Sequence, residues 1–276
     1  MGSSPTPGTY NMNNAPIGIL DSGVGGLSVW KEITTLLPNE SIIYIADSKN
    51  IPYGTKTPEE IYELSSRLIR FLLEKQVKLI VVACNTITVT NIDRLREEFP
   101  AIPMIGTVPV VKNAAERTKN GKIGILSTIN TAQSDFQQKL LKKFADGVEV
   151  VNIGTDKLVP LVESGEVTGA DVESILKQEL QPFKDAGVDV LALGCTHFPF
   201  LEPEMKKNLG PDVEILDSGA AIARHVERIL EHNDIRSNEN VQHTLYTTGD
   251  EGEFSKTTAL LLGSIVEKAV IRSVQV

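Results

Sequence analysis

The chain has 276 residues, 41% hydrophobic and 23% charged, enough for one large domain or two modest ones with a buried core. A net charge of −9 argues against general nucleic-acid binding and against attraction to anionic membranes, and no apolar run is long enough to span a bilayer. Two cysteines and no signal-peptide pattern predict a reducing, cytoplasmic setting in which both thiols stay free.

Residues 1–15, rich in Ser, Pro, Gly, Thr and Asn, are expected to form a disordered leader with no part in the fold. Ile17–Leu20 is a short apolar strand closed by Asp21-Ser22-Gly23-Val24-Gly25-Gly26. Leu27, Trp30, Ile33 and Leu37 then recur at helical spacing until Pro38 stops them. A second strand over Ser41–Ala46 leads through Ile51-Pro52-Tyr53-Gly54 into a helix that Pro58 and Glu59-Glu60 open and that runs to about Lys75. The apolar run from Leu79 ends on Cys84, a helix follows from Thr86 to Phe99, and Pro103–Gly106 gives a fourth strand. The order then restarts. Lys122–Leu126 is a strand closed by Ser127-Thr128-Ile129-Asn130-Thr131, with a helix to Phe144 behind it. Val148–Ile153 is a strand whose loop runs through Leu158–Gly165, and a helix over Ala170–Asp185 precedes a second cysteine strand, Val190-Leu-Ala-Leu-Gly-Cys-Thr-His197. Val213–Leu216, a helix over Ala220–Glu231, an extended Gln242–Gly249 and a last helix complete the chain.

The registers of the two runs agree. Ile17-Gly18-Ile19-Leu20 matches Ile123-Gly124-Ile125-Leu126, and Val82-Ala83-Cys84 matches Leu193-Gly194-Cys195. This is an internal duplication of an α/β unit, with a period too long for a solenoid. Strands that are solidly apolar rather than alternating belong to parallel sheets covered on both faces. The expected fold is therefore α/β, with two pseudo-symmetric, doubly wound parallel-sheet domains facing each other across an active-site cleft. The first domain is expected over residues 16–107 with 218–276, and the second over 108–217. Sequence alone leaves open whether the C-terminal elements return to the first half. Ligands of such sheets bind beyond the carboxyl ends of the strands. Asp21, Ser22, Cys84, Asn85, Thr128, Cys195, Thr196 and His197 all fall there.

The glycine loop Asp21–Gly26 has the setting of a phosphate site, between a strand and a helix. It is not Gly-x-Gly-x-x-Gly, it lacks Gly-Lys-Ser/Thr, and an aspartate at the strand tip would repel a pyrophosphate. A small-ligand turn or a purely structural one is the better reading. A buried cysteine is usually just a small apolar residue. Here each cysteine precedes a polar residue at a helix N-terminus, where free N–H groups favour a thiolate. His197, two residues after Cys195, is a candidate acid/base partner. Metal binding is weakly supported: there is no Cys-x-x-Cys or His-x-x-x-His, and His225, His232 and His243 lie in helical or extended polar surroundings. No lysine stands out as a pyridoxal phosphate anchor. Arg94, Arg96, Glu97 and Glu98 read as a solvated helix face.

Two acid/base groups of one kind on opposite sides of a cleft suit a reaction that removes a proton from one face of a carbon and returns one to the other. A thiolate accepts the proton and a thiol donates it, so one of each is needed and turnover exchanges them. An anionic amino acid would need fixed N–H and hydroxyl donors for its carboxylates. Ser22, Asn85, Thr86, Thr128, Thr131 and Thr196, with the helix N-termini, are candidates.

These segments resemble the glutamate racemases, cofactor-independent two-cysteine enzymes of the aspartate/glutamate racemase superfamily. The resemblance rests on Asp21-Ser-Gly-Val-Gly-Gly-Leu27, Pro52-Tyr53-Gly54, Ala83-Cys-Asn-Thr86, Thr128-Ile-Asn-Thr131, Val162-Glu-Ser-Gly165 and Gly194-Cys-Thr-His-Phe-Pro199. These run in family order to Thr247-Thr248-Gly249 and cover nearly everything but the leader. The resemblance implies that Cys84 and Cys195 are the catalytic acid/bases, the first deprotonating the D-enantiomer and the second the L-enantiomer. Asp21 would assist Cys84, and His197 would assist Cys195. Substrate contacts would come from Asp21, Ser22, Tyr53, Gly54, Asn85, Thr86, Thr196 and His197, with Thr128 and Thr131 nearby and Asp47 and Glu163 as possible site residues. It further implies no cofactor and no metal, glutamate as substrate, a homodimer, and a product, D-glutamate, that feeds peptidoglycan synthesis. His197 directly after Cys195-Thr196 matches the glutamate enzymes, where aspartate racemases tend to carry a glutamate.

Two positions depart from the family pattern. Ile87 stands where a small residue is common, and Thr107-Val-Pro-Val110 replaces a glycine-containing crossover. Three other functions stay open at this point: racemisation of aspartate or another carbon acid, an inactive glutamate-responsive binding protein, and a redox protein built on a Cys84–Cys195 disulfide.

Overall fold

A computed structural model describes residues 12–237 and 241–276. The expected leader lies outside the described residues as far as residue 11. Its last part departs from expectation: Met12–Asn14 form a 3-10 turn and Ala15 is buried. The tie is electrostatic, because the Lys78 ammonium donates to the Asn13 carbonyl at 2.7 Å.

Among the described residues, ten strands form two all-parallel sheets. Their ranges are β1 Ile17–Asp21, β2 Ile42–Ala46, β3 Leu79–Val82, β4 Met104–Gly106, β5 Lys122–Ser127, β6 Glu149–Gly154, β7 Val190–Gly194, β8 Glu214–Leu216, β9 His243–Thr247 and β10 Ala269–Ser273. The first sheet has the order β10-β9-β2-β1-β3-β4 and the second β6-β5-β7-β8. The inner order β2-β1-β3-β4 therefore recurs as β6-β5-β7-β8, the spatial counterpart of the repeat in sequence. Both sheets reverse direction of winding beside their first strand, which opens a crevice between the tips of β1 and β3 and between those of β5 and β7. The two C-terminal strands join the first sheet, β9 pairing with β2 so that His243 lies opposite Ile42.

Helices cover the sheets because the strands are apolar on both faces; β1, β3 and β7 are buried along their whole length. The matched glycines Gly18 and Gly124 let those helices come close. A Cβ on Gly124 would lie 2.5 Å from Phe183, and one on Gly18 would lie 3.1 Å from Val77. At the opposite end from the cleft, Lys78 and Glu40 form a fully buried ion pair at 2.6 Å. Lys78 also donates to the Ile235 carbonyl at 2.7 Å, and Glu40 accepts the Ser237 N–H at 2.8 Å. Burial pulls the Lys78 ammonium down, and Glu40 holds against it. This pair ties the chain before β1 to the segment before β9.

Several elements differ from the sequence reading. The helix expected after Thr131 is two helices, Ile129–Gln133 and Asp135–Phe144, broken where the Ser134 hydroxyl caps the second by accepting the Gln137 N–H. Leu158–Glu163 is a helix rather than loop, and helices over Val111–Arg117 and Glu202–Leu209 and the strand β10 were not anticipated. All are short or exposed, so their hydrophobic periodicity is weak. In the crossover, Thr107 is buried and its N–H and hydroxyl both donate to the Val82 carbonyl, which ties the chain leaving β4 to the tip of β3. No helix among the described residues is long and apolar enough to cross a membrane.

Candidate active site

Cys84 is the N-cap of the helix Asn85–Glu98, in extended conformation at the tip of β3. Its Sγ lies 3.7 Å from the Ser22 hydroxyl, and the Ile87 N–H points at the sulfur. Burial pushes the Cys84 thiol up to about 12. The Asp21 carboxyl pushes the same way, while the Ile87 N–H and the Ser22 hydroxyl offset only part of it. These surroundings favour the thiol form of Cys84. Ile87, the departure noted in sequence, is fully buried in the same cluster as Cys84, so its bulk is absorbed by the core while its N–H serves the sulfur.

Cys195 occupies the matching place beyond β7, and its Sγ lies 3.7 Å from His197 Nδ1. The other ring nitrogen of His197 lies 2.6 Å from Glu163 Oε1, which also accepts the Val24 N–H at 2.7 Å. Burial pulls His197 down, but hydrogen bonding and charge from Cys195 and Glu163 outweigh it and hold the imidazole well above its ordinary range. His197 is thus held as an imidazolium between a sulfur and a carboxylate.

The glycine loop exists to let these groups in. A Cβ on Gly25 would stand 2.2 Å from His197 Nδ1, and one on Gly23 would stand 2.0 Å from Glu163 Oε1. None of these loop glycines has a positive φ, so close approach rather than backbone freedom requires them. Asp21, fully buried at the tip of β1, accepts the Gly23 N–H at 2.9 Å and the Thr196 hydroxyl at 3.1 Å. Burial raises its carboxyl to about 6 against the opposing pull of His197.

Both cysteines line one shared, narrow cavity between the two sheets. Of the residues singled out in sequence, Ser22, Tyr53, Gly54, Asn85 and Thr86 line it from the first sheet's side. Thr128, Thr196 and His197 line it from the second's. Asp21, Thr131, Asp47 and Glu163 stand behind the wall. Thr131 holds Thr128, whose hydroxyl is also 3.0 Å from that of Thr86, so a chain of hydroxyls crosses between the sheets. Asp47 accepts from the Tyr53 hydroxyl at 2.6 Å, from the Thr248 hydroxyl at 2.7 Å and from the Asn50 amide. It positions Tyr53. Pro52, Thr55, Thr155, Asp156 and Val159 also line the cavity and were not among the residues singled out. Thr155 and Asp156 were findable, since they follow β6 at its carboxyl end.

No lysine or arginine lines the cavity among the described residues, so apart from His197 the donors that carboxylates bound there would meet are neutral N–H and hydroxyl groups. Among the described residues no cluster of three or more His, Cys, Asp or Glu is placed to hold a metal ion. The arrangement offers one carbon acid two thiols, a neutral donor shell and an imidazolium.

The model of the Asp/Glu/hydantoin racemase family matches residues 17–226. The chain belongs to this family. Within the racemases, it is 40% identical to a glutamate racemase of Stutzerimonas stutzeri (strain A1501) over 93% of this chain and 96% of that one. The crystal structure of glutamate racemase isoform RacE1 from Bacillus anthracis superposes with a TM-score of 0.87 at 36% identity, covering 96% of this chain and 98% of that one. The glutamate racemase from Francisella tularensis subsp. tularensis SCHU S4, solved in complex with D-glutamate, superposes with a TM-score of 0.83 at 30% identity, covering 95% and 98%. The two-sheet architecture is that of these racemases.

Proposed function

We propose that the protein is a glutamate racemase that interconverts L- and D-glutamate by a cofactor-independent 1,1-proton transfer between Cys84 and Cys195. One observation carries this reading: two free thiols at equivalent tips of two duplicated sheets open onto the same cavity. The relatives named above support glutamate as the substrate.

With L-glutamate bound, Cys195 as thiolate takes the Cα proton, and the Cys84 thiol delivers its own proton to the opposite face. The product is D-glutamate, and the sulfurs have exchanged ionisation states. In the reverse direction Cys84 is the base. Burial and the Asp21 carboxyl favour the protonated form of Cys84, the form that donates in the L-to-D direction. His197, charged and backed by Glu163, steadies negative charge on Cys195 Sγ. Ser22, Asn85, Thr86, Thr128 and Thr196 supply donors for the substrate carboxylates and for the charge that spreads onto the α-carboxylate as the proton leaves. We take the working units to be the domains 16–107 with 218–276 and 108–217. We place the enzyme in the cytoplasm as a homodimer, its D-glutamate supplying peptidoglycan synthesis, as the sequence resemblance implies.

The test is a pair of variants. Cys84→Ser and Cys195→Ser are each expected to lose at least roughly a thousandfold in glutamate racemisation. Each should still eliminate a β-leaving group from one enantiomer of a glutamate analogue, Cys84→Ser from the L-form and Cys195→Ser from the D-form. Wild-type racemisation by either variant would sink the two-thiol assignment.

A further inference from the structure

One wall of the cavity is a loop of the first sheet's side, and Pro52, Tyr53, Gly54 and Thr55 all face the ligand space from it. Its hold comes from the other side of the cleft. Asn130, the second residue of the helix Ile129–Gln133, donates its backbone N–H to the Gly54 carbonyl at 3.2 Å. Its side-chain amide donates to the Lys56 carbonyl at 2.7 Å and to the Tyr53 carbonyl at 3.3 Å. One residue thus satisfies three carbonyls of a four-residue stretch, using every N–H it has. Beside it, Gly54 lies so close to Thr128 that a Cβ there would stand 3.0 Å from the threonine Cβ.

We propose that Asn130 is a positioning residue that fixes the substrate-facing loop from across the cleft, and so sets the affinity for substrate rather than the rate of proton transfer. It lines no part of the cavity and touches neither cysteine. The loop it grips presents Tyr53 and Gly54 to the ligand, and those contacts are made alike in ground state and transition state. Removing the grip therefore weakens binding uniformly. The inference rests on the glutamate racemase reading for its kinetic readout only.

The diagnostic variant is Asn130→Asp. An aspartate near the start of a helix is favourable to the helix itself, so a merely helical role for Asn130 survives the change. The side-chain part of the grip does not survive, because a carboxylate has no N–H for the Lys56 and Tyr53 carbonyls and sets oxygen against oxygen; only the backbone N–H to Gly54 remains. In the full chain, KM for both glutamate enantiomers is expected to rise about tenfold, with kcat changed by less than about threefold. Amide hydrogen exchange over residues 53–57 should accelerate in the same variant without any substrate. Asn130→Ser, which is shorter and uncharged, should show both effects. KM within twofold of wild type in both variants, or a fall in kcat at constant KM, overturns the proposal. So does unchanged exchange over residues 53–57. If the wild type fails to racemise glutamate, the functional reading is lost, while the exchange experiment still decides whether Asn130 holds the loop.

Discussion

Asp21 carries the clearest electrostatic cost in the molecule. It is fully buried, its oxygens are held by the Gly23 N–H and the Thr196 hydroxyl, and burial raises its carboxyl from 3.8 to about 6. A folded-state value above the unfolded one means that burying the group costs nothing below the unfolded value. The cost grows as pH rises and is complete above about 6. Asp21→Asn keeps the shape and removes the charge. At pH 7 it is expected to stabilise the fold by about 3 kcal/mol, an advantage that vanishes by about pH 4. Chemical denaturation of both proteins at the two pH values checks this, and an equal or lower stability of the variant at pH 7 contradicts it. Its neighbours give a reason for keeping an acid in so unfavourable a place: Asp21 accepts the Thr196 hydroxyl and adds to the burial that pushes the Cys84 thiol up. Cys84, Cys195, Asp21 and His197 were legible in sequence because each is a chemically distinctive residue within three positions of a strand end. The partners that tune them were not. Glu163 was flagged only as a possible site residue within the motif Val162–Gly165; its partners His197, 34 residues away, and Val24, 139 away, leave no local signal. Asn130 sat inside a recognised motif, yet its role depends on carbonyls 74 and 77 residues away.

The glycine loop between β1 and the helix Leu27–Leu36 is the element where local sequence and distant chemistry meet. Its residues suggest either a phosphate cradle or a tight turn, and the structure gives a third use. The loop is stripped of side chains so that His197 and Glu163, both from the other half of the chain, can press against its backbone. Gly25 tests this cleanly. Its φ suits any residue, so Gly25→Ala acts only through the methyl group that would fall 2.2 Å from His197 Nδ1. Racemisation is expected to drop roughly a hundredfold as His197 is displaced from Cys195, with the melting temperature little changed. Activity within twofold of wild type would show that the imidazole has room to spare. Elements of this kind read well from sequence in place and badly in purpose. The strands were legible because they are solidly apolar, whereas the helix Leu158–Glu163 was hidden in a stretch too short for its periodicity to register, and its last residue is the one that reaches His197.

At the scale of the whole molecule, duplication explains why there are two thiols and why they face each other. Each half places a cysteine at the tip of the strand after its winding reverses, and joining the halves tip to tip puts both into one cavity. The halves are not equal. Only the first sheet gains β9 and β10, and among the described residues the second cysteine has a histidine and a carboxylate behind it, while burial and then the Asp21 carboxyl push the thiol of the first upward. A symmetric scaffold thus places its two thiols in different surroundings, which suits the one-thiol, one-thiolate exchange proposed above. The Lys78–Glu40 pair, buried at the far end of the first sheet, closes the molecule by tying its N-terminal segment to the chain that returns for β9. The duplication was visible in sequence from its repeated strand register; residues 218–276 were assigned to the first domain, but which strand they pair with was not legible, because parallel pairing between residues 42–46 and 243–247 leaves no local signal. The most direct test is proton NMR and chiral analysis of L-glutamate incubated with the purified protein in deuterated water, with no cofactor added. The account predicts D-glutamate carrying deuterium at Cα from the first turnovers; no D-glutamate, or D-glutamate that retains its original Cα proton, would contradict it.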